Sequence, residues 1–277
     1  QPLPPRRRPP ARPLASAQYG PMAPLAELNV TNFNVLVGKS EGRDKLARTV
    51  QFAARMIVGL TQLKAMKAGT RIYWVNELAG NIMKQLASAR RAHRWCKEFP
   101  VIQAILRSLP TEIPGELSLS ASEMADRALD LAQKVTLATF LVIDHLGWLK
   151  QMKVLSGGKR AGTGTIQLGL KYFCVSNFFS MLIQLKKQWE APAEKKRPFT
   201  QNALKHGLLV LQCAHLSRMY ESHDAIVGLF GVISSFMDTL AQWPERKAAP
   251  APKPASEEKA APAPKPASEE KAAPAPK

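Results

Sequence analysis

GRDKLARTVQFAARMIVGLTQL, residues 42–63, decides the fold. At 100° per residue, Leu46, Thr49, Val50, Ala53, Met56, Ile57, Leu60 and Leu63 fall on one side of a helix, while Asp44, Arg48, Gln51, Arg55 and Gln62 fall on the other. The next stretch, WVNELAGNIMKQLASARRAHRWCKEF (74–99), repeats the design. Trp74, Leu78, Ile82, Leu86, Ala89, Trp95, Cys96 and Phe99 share a side, Lys84, Arg91 and Arg94 point away, and Arg90 and Lys97 flank the stripe.

Between Arg43 and Lys97 twelve Lys/Arg face only two acids, Asp44 and Glu77, so this region holds more than half of the chain's net charge of +18. A soluble bundle would turn the apolar stripes inward and leave the cations as a solvated face. Polar faces that are almost wholly cationic, with Trp74, Trp95 and Phe99 beside them, instead fit helices lying flat at a lipid interface. Four large side chains at roughly 1.5 to 3 kcal/mol each, with about 1 kcal/mol per cation near an anionic leaflet, would hold such helices firmly. The membrane-binding set expected on this reading is Arg43, Leu46, Arg48, Val50, Ala53, Arg55, Ile57, Leu60, Leu63, Leu78, Ile82, Leu86, Arg90, Arg91, Arg94 and Trp95.

Working outward, 277 residues with 45% hydrophobic content suffice for a sizeable core. Periodicity is helical throughout, with breaks expected at 69–70, 110–115, 157–164 and 192–198. The helical blocks then run over 42–68, 74–109 (broken near Pro100), 120–155, 165–189 and 201–243. The expected fold is all-α, a membrane-associated bundle of amphipathic helices with one or two short hydrophobic helices between disordered termini. Residues 1–24 form a Pro/Arg-rich leader, 25–243 the helical domain, and 244–277 a tail in which AAPAPKPASEEK occurs at 248–259 and again at 260–271. Neither end buries enough apolar surface to offset its ordering entropy. No apolar run follows RRRPPAR, so no signal peptide is read. Cys96, Cys174 and Cys213, odd in number and far apart, fit free thiols in a reducing compartment.

A spanning helix needs about 20 mostly apolar residues. Residues 135–143 run into Asp144, 168–185 carry Lys171 and Asn177, and AIVGLFGVISSFM (225–237) is unbroken but short. The last is the best embedded segment, carried by Ile226, Val227, Gly228, Leu229, Phe230, Gly231, Val232 and Ile233, with the two glycines allowing close helix approach. Asp144 must face a partner helix or mark an exit from the bilayer.

No enzyme is expected. GGKRAGTG (157–164) lacks the spacing and the preceding strand of a phosphate-binding loop. His206, Cys213, His215 and His223 have no metal-ligand spacing, and no nucleophile-base pattern stands out, so neither catalytic residue, metal nor cofactor is assigned.

Four segments together carry a family resemblance: KSEGRDKLARTVQFAAR (39–55), LASARRAHRWCK (86–97), ALDLAQKVTLATFLVIDHLGWL (128–149) and HDAIVGLFGVISSFMDTLAQW (223–243). In content and order they resemble the peroxin-11 family, over about 25–243. The resemblance implies a peroxisomal (or glycosome-like) membrane protein, tails in the cytosol, that elongates the organelle before division by amphipathic-helix insertion and self-association. Implied partners are an anionic phospholipid membrane, further copies of the chain, the organelle fission machinery and the peroxisomal membrane-protein import receptor, with no nucleic acid. The leader, the GGKRAGTG loop and the repeat tail lie outside the family pattern. The alternatives are a soluble cationic bundle using 43–97 to neutralise nucleic-acid phosphates, and a pore-like metabolite channel.

Overall fold

The computed structural model describes residues 28–62, 67–109 and 120–244, and everything said of the structure concerns these. They form eight α-helices and no strand: α1 (Val30–Gly38), α2 (Ser40–Gln62), α3 (Arg71–His93), α4 (Glu98–Ser108), α5 (Ala121–Gln151), α6 (Gly158–Glu190), α7 (Lys196–Leu216) and α8 (Asp224–Gln242). The leader, the repeat tail and Leu63 lie outside the described residues.

Local chemistry sets several starts. Asn29 caps α1, Thr70 caps α3 and Ser120 opens α5 in a full capping box with Glu123, each satisfying backbone N–H groups that have no partner inside the helix. Pro100 does not break the second block, because it sits in the first turn of α4, where its missing N–H costs nothing. The break falls just before it, where Cys96 adopts a positive φ of 65°.

Two expected boundaries are corrected. GGKRAGTG is no loop, since α6 begins at Gly158. Its Gly162 serves contact with α5: a Cβ there would lie 2.7 Å from the Gly147 carbonyl oxygen and 2.8 Å from the Gln151 backbone nitrogen. Glycine here is a packing residue, not a breaker. Conversely, 201–243 is two helices, parted by a turn in which Arg218 takes a positive φ of 59°. No glycine or proline marks that turn.

The long helices pair in the order α5–α6–α7–α8–α2–α3, and α3 returns to α5, so six helices close on themselves. α4 lies along α5, and α1 packs on α2. The centre of this ring is unusually polar. Asp44, Arg48, Gln51, Asp144, His145, Asn177, Lys205, Gln212, Ser234, Ser235 and Asp238 are all buried, whereas Val50, Ile57, Leu60, Trp74, Leu78, Phe99, Leu106, Val142, Leu168, Phe178, Leu229 and Phe236 are exposed. Water favours the opposite arrangement. Two helices, Arg160–Glu190 and Asp224–Gln242, are long and apolar enough to cross a membrane.

Candidate functional site

The amphipathic segregation of α2 is as the sequence predicts, but its direction is reversed. Ile57 and Leu60 are 38% and 50% exposed, and Arg48 only 6%. The polar side looks into the ring because carboxylates wait there. Arg48 donates from Nη1 to Asp238 Oδ2 (3.3 Å) and from Nη2 to Gln212 Oε1 (3.0 Å) and Ser234 Oγ (3.4 Å). Lys45 and Lys205 join the same carboxylate at 3.2 and 3.1 Å. Arg55 pairs with Asp224, which also meets His215 Nε2 at 3.2 Å.

The arginines of α3 behave alike. Arg90 Nε donates to Asp44 at 3.0 Å and its Nη1 to Gln51 Oε1 at 2.6 Å. Arg91 and Arg94 share Asp144, each at 3.2 Å. Asp144 thus faces a partner helix, one of the two outcomes its place in an apolar run demanded. Burial works against the Arg90 charge and brings its pKa down to about 9, with Asp44 opposing the fall. Burial alone would raise Asp44, but Arg90, Arg94 and Lys45 outweigh it and hold the carboxyl below its ordinary value.

The expected membrane-binding set therefore divides. Val50, Ile57, Leu60, Leu78, Ile82 and Trp95 are exposed, and Leu46, Ala53 and Leu86 are half-buried. Arg48, Arg55, Arg91 and Arg94, expected opposite the apolar stripe, and Arg90, expected to flank it, look inward instead. Arg43 is exposed but donates to the backbone carbonyls of Val37 (2.7 Å) and Gly38 (3.3 Å) at the end of α1. Pairing with Asp44, Asp144, Asp224 and Asp238 offsets the desolvation that burial imposes on each guanidinium. Five of the cations that the nucleic-acid alternative would use are turned into the protein, while Arg43, Lys67, Arg71 and Lys84 stay exposed.

In α8 the segregation is stricter still. Gly228 and Gly231 face α2, where an added Cβ would meet the Met56 backbone and the Phe52 ring respectively, and Val227 is buried beside them. The close approach expected of the two glycines occurs within the chain. Ile226, Leu229 and Ile233 face out, while Phe230 and Val232 are intermediate. Sequence reading missed Lys205, Gln212, Asp224, Ser234 and Asp238. A signal existed: Asp224, Gly228, Gly231, Ser234, Ser235 and Asp238 all fall on one side of α8, opposite Ile226, Leu229, Ile233 and Phe236.

A partly open cavity of about 630 Å³ lies beside the arginines of α2 and α3, lined by residues of α2 to α7. Among the described residues no cluster of His, Cys, Asp and Glu could hold a metal ion.

Against known proteins, the family model described as Peroxisomal biogenesis factor 11 (PEX11) matches residues 30–207, from the first residue of α1 into α7. No curated protein and no solved structure matches the chain.

Proposed function

Because the chain belongs to the peroxisomal biogenesis factor 11 family, and is thus a peroxisomal membrane protein with a role in the organelle's biogenesis and division, we propose that it elongates and curves that membrane ahead of fission. In this reading the apolar stripes of α2 and α3 are seated in the cytosolic leaflet, and copies of the chain associate. The observation that carries it is the outward apolar stripe of these helices, Trp74 and Leu78 being 63% and 62% exposed while the polar sides are satisfied internally. An apolar wedge in one leaflet expands it against the other, which favours curvature. Arg71 and Lys84, exposed on α3, supply attraction to anionic headgroups. The main arginines are engaged inside, so attachment rests on inserted apolar area more than on charge. The proposal keeps both tails in the cytosol and retains the fission machinery and the peroxisomal membrane-protein import receptor as partners.

Flotation of the full chain with anionic vesicles, with tubule formation scored by electron microscopy, tests this. Ile57→Glu with Leu60→Glu removes two inserted side chains worth roughly 3 to 6 kcal/mol together. Vesicle affinity is expected to fall by about a hundredfold or more, with helical content unchanged because both positions face out. Equal binding and tubulation by the double variant would overturn the reading.

A further inference from the structure

We infer that the central cavity is a binding site for a single-chain amphiphilic anion, its carboxylate or phosphate head held by the arginines of α2 and α3 and its hydrocarbon chain laid against α5 and α6. The inference does not depend on membrane curving. It begins from charge. Seven Lys/Arg side chains and three carboxylates line the cavity. Counting also Asp224 and Asp238, which pair with lining residues, the cations still lead seven to five. The carboxylates are oversubscribed, since Asp144 serves two arginines, and Asp238 serves Lys45, Arg48 and Lys205. Lys97, also on the lining, has no ion pair among the described residues. A surplus of two positive charges around a half-enclosed cavity is costly, and a bound anion relieves it.

Two lining side chains also hold buried donors that meet no acceptor, Arg55 Nε and Gln212 Nε2, and Gln212 is only 2% exposed. Unmet donors on the lining of a cavity mark where a ligand's acceptors belong.

The opposite wall decides the class of anion. Leu137, Phe140, Ile166, Leu170 and Phe173 present apolar surface to the cavity; α5 and α6 add one charge there, Asp144, which Arg91 and Arg94 already hold, and otherwise only the uncharged Gln151, Thr163 and Gln167. Inorganic phosphate or chloride would neutralise the arginines but leave this wall against water. A charged head on a hydrocarbon chain satisfies both walls. The volume lies within the range of about 300–1,000 Å³ typical of pockets for one small ligand.

The test uses the full chain in an uncharged maltoside detergent, with ligand counted by native mass spectrometry. Palmitate is expected to bind saturably at one per chain, hexadecanol at least tenfold more weakly, and inorganic phosphate to displace palmitate only at millimolar concentration. Lys97→Gln should weaken palmitate three- to tenfold, and Leu170→Trp, which fills the apolar wall, should abolish binding. Should the tryptophan variant fail to fold, Lys97→Gln and the palmitate–hexadecanol contrast decide. Hexadecanol binding as well as palmitate, palmitate binding without saturation, phosphate binding as tightly as palmitate, or no loss in folded variants would each overturn the assignment.

Discussion

Asp238→Ala is expected to lower the thermal midpoint of the full chain in detergent by roughly 10 °C, more than any exposed substitution. Asp238 is 6% exposed and stands between Lys45, Arg48 and Lys205, which reach it from α2 and α7. Removing it leaves three cations crowded together without their counter-charge, and breaking buried charge pairs in this way costs about 3–5 kcal/mol. For a domain of this size each kcal/mol moves the midpoint by about 2–4 °C. Asp238→Asn keeps an acceptor for Arg48 and should lose less. Added salt should rescue neither, because mobile ions screen buried pairs poorly. A midpoint unchanged within a degree in Asp238→Ala, followed by circular dichroism, would show that the carboxylate does not hold α2, α7 and α8 together.

Gly228→Leu should be comparably damaging. A Cβ at this position runs into the backbone nitrogen and Cα of Met56, and one at Gly59 into the backbone of Ala225 and Asp224, so α2 and α8 touch main chain to main chain at both places. Backbone cannot rotate aside as a side chain can. Overpacking costs typically 1–3 kcal/mol and more where nothing yields, so a shift of roughly 6 °C or more in the same assay is expected. Gly164→Ala is the control: nothing lies within 4 Å of its added Cβ, and on an exposed helical turn the change should be neutral or stabilise by up to about 1 kcal/mol. Equal midpoints for the two glycine variants would contradict the close α2–α8 contact.

Helical class and most element positions are legible in the residues, because 3.6-residue periodicity is strong across 42–243. The faces of α2 are legible too. What periodicity cannot supply is a sign: it separates the apolar side from the polar side without saying which one the rest of the chain covers. Arg48, Arg55, Arg91 and Arg94 read as outward because their carboxylate partners lie far along the chain, Asp144 about 50 residues from Arg91 and Arg94 and Asp238 190 residues from Arg48. The missed turn near Arg218 and the unexpected helix at 158–164 share one cause. Local breaker residues are weak evidence once tertiary packing decides, as Gly162 against Gly147 shows. α8 carried the clearest clue, its small and acidic residues collected on one side and its large apolar residues on the other, and the structure buries the first side and exposes the second.

Most directly, the outward apolar stripes can be tested by spin-label accessibility in the full chain bound to anionic vesicles. Nitroxides placed one at a time through Ile57→Cys, Leu60→Cys, Leu78→Cys and Ile82→Cys are compared with inward positions Val58→Cys and Ala79→Cys. The account predicts high collision with oxygen and shielding from a water-soluble nickel chelate at the first four, and shielding from both at the last two. Nickel collision at positions 57, 60, 78 and 82 as frequent as in the chain without vesicles would contradict it.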